Sequence, residues 1–202
     1  MSTRFSSFEN RLYDRFGPFW GATLSFVIEV IQIVVISSAI IFPIRYFLVQ
    51  PFYVKGASME PNFYDHEYLI IDEISYRFRE PMRGEILVFR YPRDPSQFFI
   101  KRLIGLPGET IEVSNGSILL YNQEHPNGFS LEESYLIGEQ TNGKVRVTLG
   151  SDEYYVLGDN RDASLDSRSF GPIQEENIIG RVWVRGLPLS RIGTFELPSY
   201  NL

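Results

Sequence analysis

Apolar positions run almost unbroken from residue 19 to residue 54, and beyond that they come in short bursts separated by turn formers. The first texture predicts one long helix and the second predicts strands. A membrane-crossing helix needs about 20 mainly apolar residues, and the run offers two windows. One, at about 19–42, places Glu29 near the middle of a bilayer, at a cost of roughly 2.5 kcal/mol or more. The other, at about 30–49, leaves Glu29 at one edge and Arg45 near the other, where its stem reaches the headgroups. The second window is preferred. It predicts 1–29 as an N-terminal cytoplasmic segment, 30–50 as a transmembrane helix and 51–202 as an extracytoplasmic domain. Arg4, Arg11 and Arg15 before the run, against Arg45 and Lys55 after it, favour an inward N-terminus. The alternative is a buried helix of a soluble protein, but the run is longer than such helices usually keep free of charge. A cleavable signal peptide fits worse, because the run is too long and begins too late.

Strand-like segments follow at 67–72, 85–91, 98–104, 110–113, 117–121, 144–148, 153–157 and 178–185. Between them stand RGE, PRDPS, LPGE, SNGS, HPNG, TNGK and GDN, all rich in turn formers. With almost no helical period after the apolar run, the expected fold class is mainly β: an antiparallel β domain preceded by one N-terminal helix. There is no internal repeat and no low-complexity tract. A chain of 202 residues has room for one such core plus the anchor.

Charge and composition narrow the chemistry. The net charge of -6, with no basic patch, argues against a nucleic-acid partner. The chain has no Cys, hence no thiol nucleophile, disulfide or cysteine metal cluster, and the compartment is left open. Its two histidines, His66 and His125, lack the HExxH spacing and read as surface residues, so no metal is expected.

Three places carry residues able to do chemistry. Ser58 sits in VKGASMEPN, where Gly56 and Ala57 let another backbone approach and leave main-chain N–H groups open to an oxyanion. Lys101 lies in QFFIKRLIGLPGE. In a strand it shares a face with Phe99 and Leu103 while Arg102 points the other way. Apolar neighbours strip its hydration and lower its pKa, which suits a general base. The stretch GDNRDASLDSRSFGP, 158–172, can form one hydrogen-bonded loop in which Asp166 and Arg168 pair. It lacks the central Gly and closing Glu of a calcium loop. Each place also has a plain structural reading: a turn serine, a lysine snorkelling from a strand end, an elaborate surface turn.

Their order separates these readings. GASMEPN, RGEILVFRYP, FFIKRLIGLPGE and GDNRDASLDSRSFGP resemble, in that sequence, the boxes of bacterial type I signal peptidases. With the preceding helix the resemblance covers about 30–184. It implies a membrane-bound serine endopeptidase with a Ser-Lys dyad, in which Ser58 is the nucleophile, Lys101 the general base, and the path runs through an acyl-enzyme. It further implies that the Ser164 hydroxyl orients the lysine amine and that Asp166 and Arg168 support the loop, with Asp159 and Asn160 structural. A lysine base rather than a histidine resembles the bacterial form of the enzyme. Many members carry Ser two residues before the nucleophile, where this chain has Gly56. The oxyanion is therefore expected to rest mainly on the Ser58 backbone N–H, with the Gly56 region beside it.

The same resemblance implies exported preproteins as substrates, cut after small-x-small residues, with the substrate extended beside a strand. Phe52, Val54, Met59, Phe63 and Ile100 match pocket-lining positions, for which core packing is the other reading. Tyr46, Phe47, Phe52 and Tyr53 suit an aromatic belt at the headgroups. The implied setting is a bacterial plasma membrane, single-pass, with the lipid bilayer and preproteins as partners, no cofactor and a monomer. Two relatives with the same dyad compete. Self-cleaving SOS repressors carry a DNA-binding domain where this chain has its apolar run, and a pilin-type maturation peptidase would serve one dedicated substrate. A catalytically inert membrane-tethered β domain is the non-enzyme reading. The stretch 123–150 matches no box and is expected to be a β insertion.

Overall fold

The computed structural model describes the backbone of residues 3–43, 49–136 and 138–200, and the side chains of 17–42, 51–136 and 138–200. The chain divides into two compact units, Met1–Phe47 and Leu48–Leu202.

The first unit is the helix α1, Thr3–Pro43, interrupted at Gly17 by a non-helical backbone with φ 79°. That left-handed φ is open to glycine at little cost, which is why the kink falls there. The following stretch, Gly17–Phe42, is 26 residues long and apolar enough to cross a membrane. At about 1.5 Å per residue it spans about 39 Å, more than the roughly 30 Å hydrocarbon thickness of a bilayer. Phe19, Trp20, Phe26, Ile31, Ile33 and Phe42 are exposed along it. The expected 30–50 helix differs from this. The described helix reaches only Pro43, and Val49 and Gln50 already belong to a strand. Glu29, expected at one edge, falls at the middle of the apolar stretch. Glutamate is a good helix former, so the backbone continues through it whatever the cost of its charge in lipid. Arg45, Tyr46 and Phe47 lie outside the described residues.

The second unit is built on an antiparallel sheet. In chain order its strands are β1 (Val49–Tyr53), β2 (Tyr68–Asp72), β3 (Ile86–Tyr91), β4 (Asp94–Gly105), β5 (Thr110–Ser114), β6 (Ser117–Tyr121), β7 (Phe129–Ser130), β8 (Val145–Thr148), β9 (Glu153–Leu157), β10 (Ile173–Gln174), β11 (Ile178–Leu187) and β12 (Gly193–Thr194). Among the described residues, an 8-stranded sheet has the order β1-β2-β11-β3-β4-β9-β10, with β12 beside β11. A 4-stranded sheet has the order β7-β6-β5-β8. The fold is therefore mainly antiparallel β, preceded in the chain by an apolar helix, as the turn spacing and the apolar run predicted.

Burial follows the sequence pattern. Along β5 and β6 alternate residues face inward, so Ile111, Val113, Ile118 and Leu120 share one core with Ile104, Tyr155 and Leu157. In β3, which lies between β11 and β4, Ile86, Leu87, Val88 and Phe89 are all buried and feed two further cores, one on each face. A strand covered on both faces reads as a continuous apolar run rather than an alternation. β1 was absorbed into the membrane run for another reason: its residues, VQPFY, follow the apolar stretch with no boundary in hydropathy. It pairs with β2 through Pro51 opposite Ile70 and Phe52 opposite Leu69. As an edge strand it tolerates Pro51, whose missing N–H removes no ladder bond on the open side.

Candidate active site

The connection from β1 to β2 carries Ser58. Val54 N–H donates to the Glu67 carbonyl at 2.9 Å and His66 N–H to the Val54 carbonyl at 3.1 Å, closing the loop at its base. Val54, Met59 and Phe63 are buried and pin the loop to the core behind it. Within it, Phe63 N–H donates to the Met59 carbonyl at 2.8 Å and Glu60 N–H to the Ala57 carbonyl at 3.1 Å. Gly56 has φ 87°, a conformation that favours glycine, and its N–H donates to Asp65 Oδ1 at 3.0 Å. The Gly56 amide is thus occupied, whereas the Ser58 N–H has no protein acceptor among the described residues.

Lys101 enters from β4, where it pairs with Leu87 of β3. Its residue is 4% exposed, and Nζ donates to Ser58 Oγ at 2.7 Å and to the Ile100 carbonyl at 2.9 Å. The amine also lies 5.3 Å from the centre of the Phe99 ring. Burial pushes the Lys101 pKa down to about 8, against the opposing pull of Asp166 and Asp159. A lysine with such a pKa is partly neutral near pH 8, and an amine 2.7 Å from a hydroxyl can take its proton.

The other face of β4 fastens the third motif. Arg102 donates through Nε to Asp159 Oδ1 at 2.8 Å and through Nη2 to Oδ2 at 2.6 Å. Both side chains are buried, and the guanidinium lies 3.9 Å from the centre of the Tyr135 ring. Asn62 Nδ2 donates to Asp159 Oδ2 at 2.8 Å, so the Ser58 loop shares this anchor. Gly158 leaves no room for a side chain: a Cβ there would stand 2.2 Å from Ser164 Oγ and 2.5 Å from the Ser58 carbonyl oxygen. Asp166 caps the short helix α2 (Ser167–Phe170) by accepting from Arg168 N–H, accepts from Gly158 N–H at 3.1 Å, and pairs with the Arg168 guanidinium at 2.9 Å.

A cleft of about 730 Å³ opens on the pair, lined by Phe52, Val54, Ser58, Phe98, Ile100 and Leu165 among others. Three of the five expected pocket positions, Phe52, Val54 and Ile100, stand in its wall. Met59 and Phe63 do not: they are 1% and 0% exposed and pack against Leu69, Ile86 and Val88. The bond expected from the Ser164 hydroxyl to the lysine amine is also not formed. Ser164 Oγ is buried against Gly158 without a hydrogen-bond partner, and the partners of Nζ are Ser58 Oγ and the Ile100 carbonyl.

Comparison with known proteins bears on this geometry. The family model described as "Signal peptidase, peptidase S26" matches residues 27–186. The chain belongs to this signal peptidase family. A signal peptidase I of Leptolyngbya laminosa is 37% identical over 182 residues, covering 86% of this chain and 87% of that one. A probable signal peptidase I-2 of Synechocystis is 40% identical over 156 residues, covering 74% and 68%. A solved signal peptidase I from Enterococcus faecalis aligns at 34% identity with a TM-score of 0.44, over 52% of this chain and 97% of that chain. The chain is a signal peptidase of type I.

For this signal peptidase the sequence motifs pointed to Ser58 and Lys101 as candidate reacting groups but not to what holds them. Asn62 and Arg102 lie inside the quoted boxes, yet nothing in their spacing marks them as ligands of Asp159. Arg161 is buried against Glu133, which belongs to no box. His66 contacts Tyr53 and Asp65, and His125 packs beside Phe129. No group of three or more His, Asp or Glu suited to a metal ion stands among the described residues.

Proposed function

We propose that this signal peptidase cuts by a Ser58–Lys101 dyad, anchored by its N-terminal helix at a bacterial plasma membrane. The observation that carries the reading is the 2.7 Å contact between Ser58 Oγ and a buried Lys101 amine. Neutral Lys101 takes the hydroxyl proton as Oγ attacks the scissile carbonyl. The Ser58 N–H, which has no protein acceptor among the described residues, donates to the developing oxyanion. Lys101 then returns the proton to the leaving amine, which departs as the new N-terminus and leaves an ester on Ser58. A water molecule gives a proton to Lys101 as its oxygen attacks the ester, and that proton returns to Ser58 Oγ when the acid leaves.

The substrate is an exported preprotein, cut after a small-x-small pair. Its extended chain lies along the cleft as an added strand, and shallow recesses walled by Val54, Ile100 and Phe52 accept the two small side chains. The apolar Gly17–Phe42 stretch supports a single-pass anchor. Arg4, Arg11 and Arg15 ahead of it favour a cytoplasmic N-terminus and an extracytoplasmic catalytic domain. The test is cleavage of a purified preprotein whose signal ends in Ala-x-Ala by detergent-solubilised protein, with Ser58→Ala and Lys101→Ala alongside. Cutting at that bond by wild type alone supports the reading, and no cutting by folded wild type overturns it.

A further inference from the structure

The stretch between β6 and β8 carries none of the recognised motifs, yet it supplies most of the partners of one buried arginine. Arg161, 2% exposed, sits three residues past Gly158 in the loop that faces Ser58. Its guanidinium makes a two-pronged contact with both carboxylate oxygens of Glu133, one arm at 2.8 Å. It also bonds Thr141 Oγ1, and its backbone N–H donates to Glu139 Oε2 at 2.6 Å. Glu133 is itself held by the Tyr135 hydroxyl, whose ring lies under Arg102. From the same guanidinium, Nε donates to the Gly158 carbonyl at 2.9 Å. Gly158 is the residue that leaves no room for a side chain beside Ser58 and Ser164, and Asn160 N–H donates to the Ser58 carbonyl at 3.1 Å. An unbroken series of contacts thus runs from Glu133 through Arg161 and Gly158 to the main chain of Ser58.

We propose that Glu133 is a positioning residue for the Ser58–Lys101 pair, acting through Arg161 on the 158–165 loop that closes over it. The inference rests on the peptidase reading above. Ala163 and Leu165 of this loop share the cleft wall with Lys101, so the loop helps keep water from the amine. Glu133 does not line that cleft. Its loss therefore leaves the substrate recesses intact and frees the loop. Two effects of removing the carboxylate oppose each other at Lys101. Electrostatics alone, an unmatched Arg161 cation and one fewer anion, favours the neutral amine. Loosening of the loop hydrates Lys101 and returns its titration toward that of an ordinary lysine. The charged and titratable groups facing these residues are Asp159 and Asp166 beside Lys101, Tyr135, Tyr200 and Arg161 beside Glu133, and Glu139 and Arg168 on the main chain of Arg161. A positioning role requires the second effect to dominate.

The test uses full-length protein in detergent and the variants E133Q, Y135F and E124Q, the last a matched charge removal at an exposed site of the same stretch. Two readouts are taken: turnover of an Ala-x-Ala preprotein against pH, and titration of the Lys101 amine by pH-dependent acetic anhydride labelling followed by mass spectrometry. For E133Q the expected kcat is at least about 10-fold lower with KM unchanged. Its Lys101 midpoint moves up by about one pH unit, and the rising limb of the kcat profile moves up with it. Y135F, which keeps the ring and loses only the hydroxyl on Glu133, moves both readouts in the same direction by less and stands in should E133Q fail to fold. E124Q behaves as wild type. Folded E133Q, or Y135F in its place, with a wild-type or lowered Lys101 midpoint overturns the proposal, whatever the turnover. Wild type that fails to cut, with its Lys101 midpoint still dependent on Glu133, overturns the peptidase reading and leaves the positioning role standing.

Discussion

The Asn160 N–H donates to the carbonyl oxygen of Ser58 at 3.1 Å, so the main chain of the proposed nucleophile is tied to a loop far along the sequence. That loop also carries Asp159 and Asp166, whose charges act on Lys101, and Gly158, which lets the two backbones meet. Ser58, Lys101 and the 158–166 loop therefore form one mechanical unit, and substitutions in any of them are expected to be coupled.

Removing either member of the dyad is expected to abolish most turnover. Ser58→Ala and Lys101→Met should each lower kcat/KM by at least ~10³, and the double variant should be no worse than the singles, because groups that act together are not additive. Preprotein cleavage by the three variants checks this. Near-normal turnover by Lys101→Met would remove the lysine as base.

Activity should rise with pH. Lys101 titrates at about 8 rather than at the ordinary lysine value because it is buried. Below that pH the amine is protonated and cannot accept the Ser58 proton; above it the amine is neutral and competent. The kcat/KM profile should reach half its plateau near pH 8. A limb in the histidine range that disappears in His66→Ala would contradict the dyad.

Gly158→Ala should be among the most damaging single-methyl additions. The new Cβ meets the Ser58 carbonyl oxygen at 2.5 Å, a backbone atom that cannot rotate away. Gly108→Ala is the comparison: its φ is 78° but its Cβ meets open space, so only backbone strain of about 1–2 kcal/mol applies. Melting temperature and kcat measured on both should show Gly158→Ala losing activity out of proportion to stability. Equal effects would mean that the contact with Ser58 is incidental.

Arg102→Met should cost about 3–5 kcal/mol, because it strands the fully buried Asp159 carboxylate with Asn62 as its remaining side-chain partner. Urea unfolding measures it. A loss under about 1 kcal/mol, in the range of exposed ion pairs, would show that water reaches Asp159 in the variant.

Core and pocket positions should separate by readout. Met59→Ala is expected to lose about 2–5 kcal/mol through the cavity it leaves, with unchanged preference for small residues before the cut. Ile100→Ala, in the cleft wall, should instead admit a larger side chain there. A series of peptides varied at those two positions decides, and relaxed preference in Met59→Ala would return that residue to the pocket.

Much of the fold was legible because its signals are local. The strand at 117–121 and the strand at 153–157 stand where alternation and flanking turns predicted them. The strand expected at 98–104 is longer, Asp94–Gly105, since the PRDPS stretch turns only at its start and Asp94 then bonds Ser96 and Gln97 as the strand begins. β1 was not legible, because an edge strand running on from an apolar helix has no boundary in hydropathy. At the site, the motifs marked Ser58 and Lys101, while the absent Ser164 bond and the core placement of Met59 and Phe63 depend on packing that no spacing encodes.

The sequence by itself determined the long apolar helix and the antiparallel β class, because each depends on neighbours within a few positions, and the order of its motifs singled out Ser58 and Lys101 as candidates. Tertiary structure alone decided how dry Lys101 is, which of several equally apolar residues face the cleft, and that Arg102 and Arg161 find Asp159 and Glu133. Those outcomes depend on desolvation and charge, which are set by segments that meet only after folding. A lysine beside apolar residues is an expectation; a lysine with a pKa of about 8 requires β4, the Ser58 loop and the 158–166 loop to close around it.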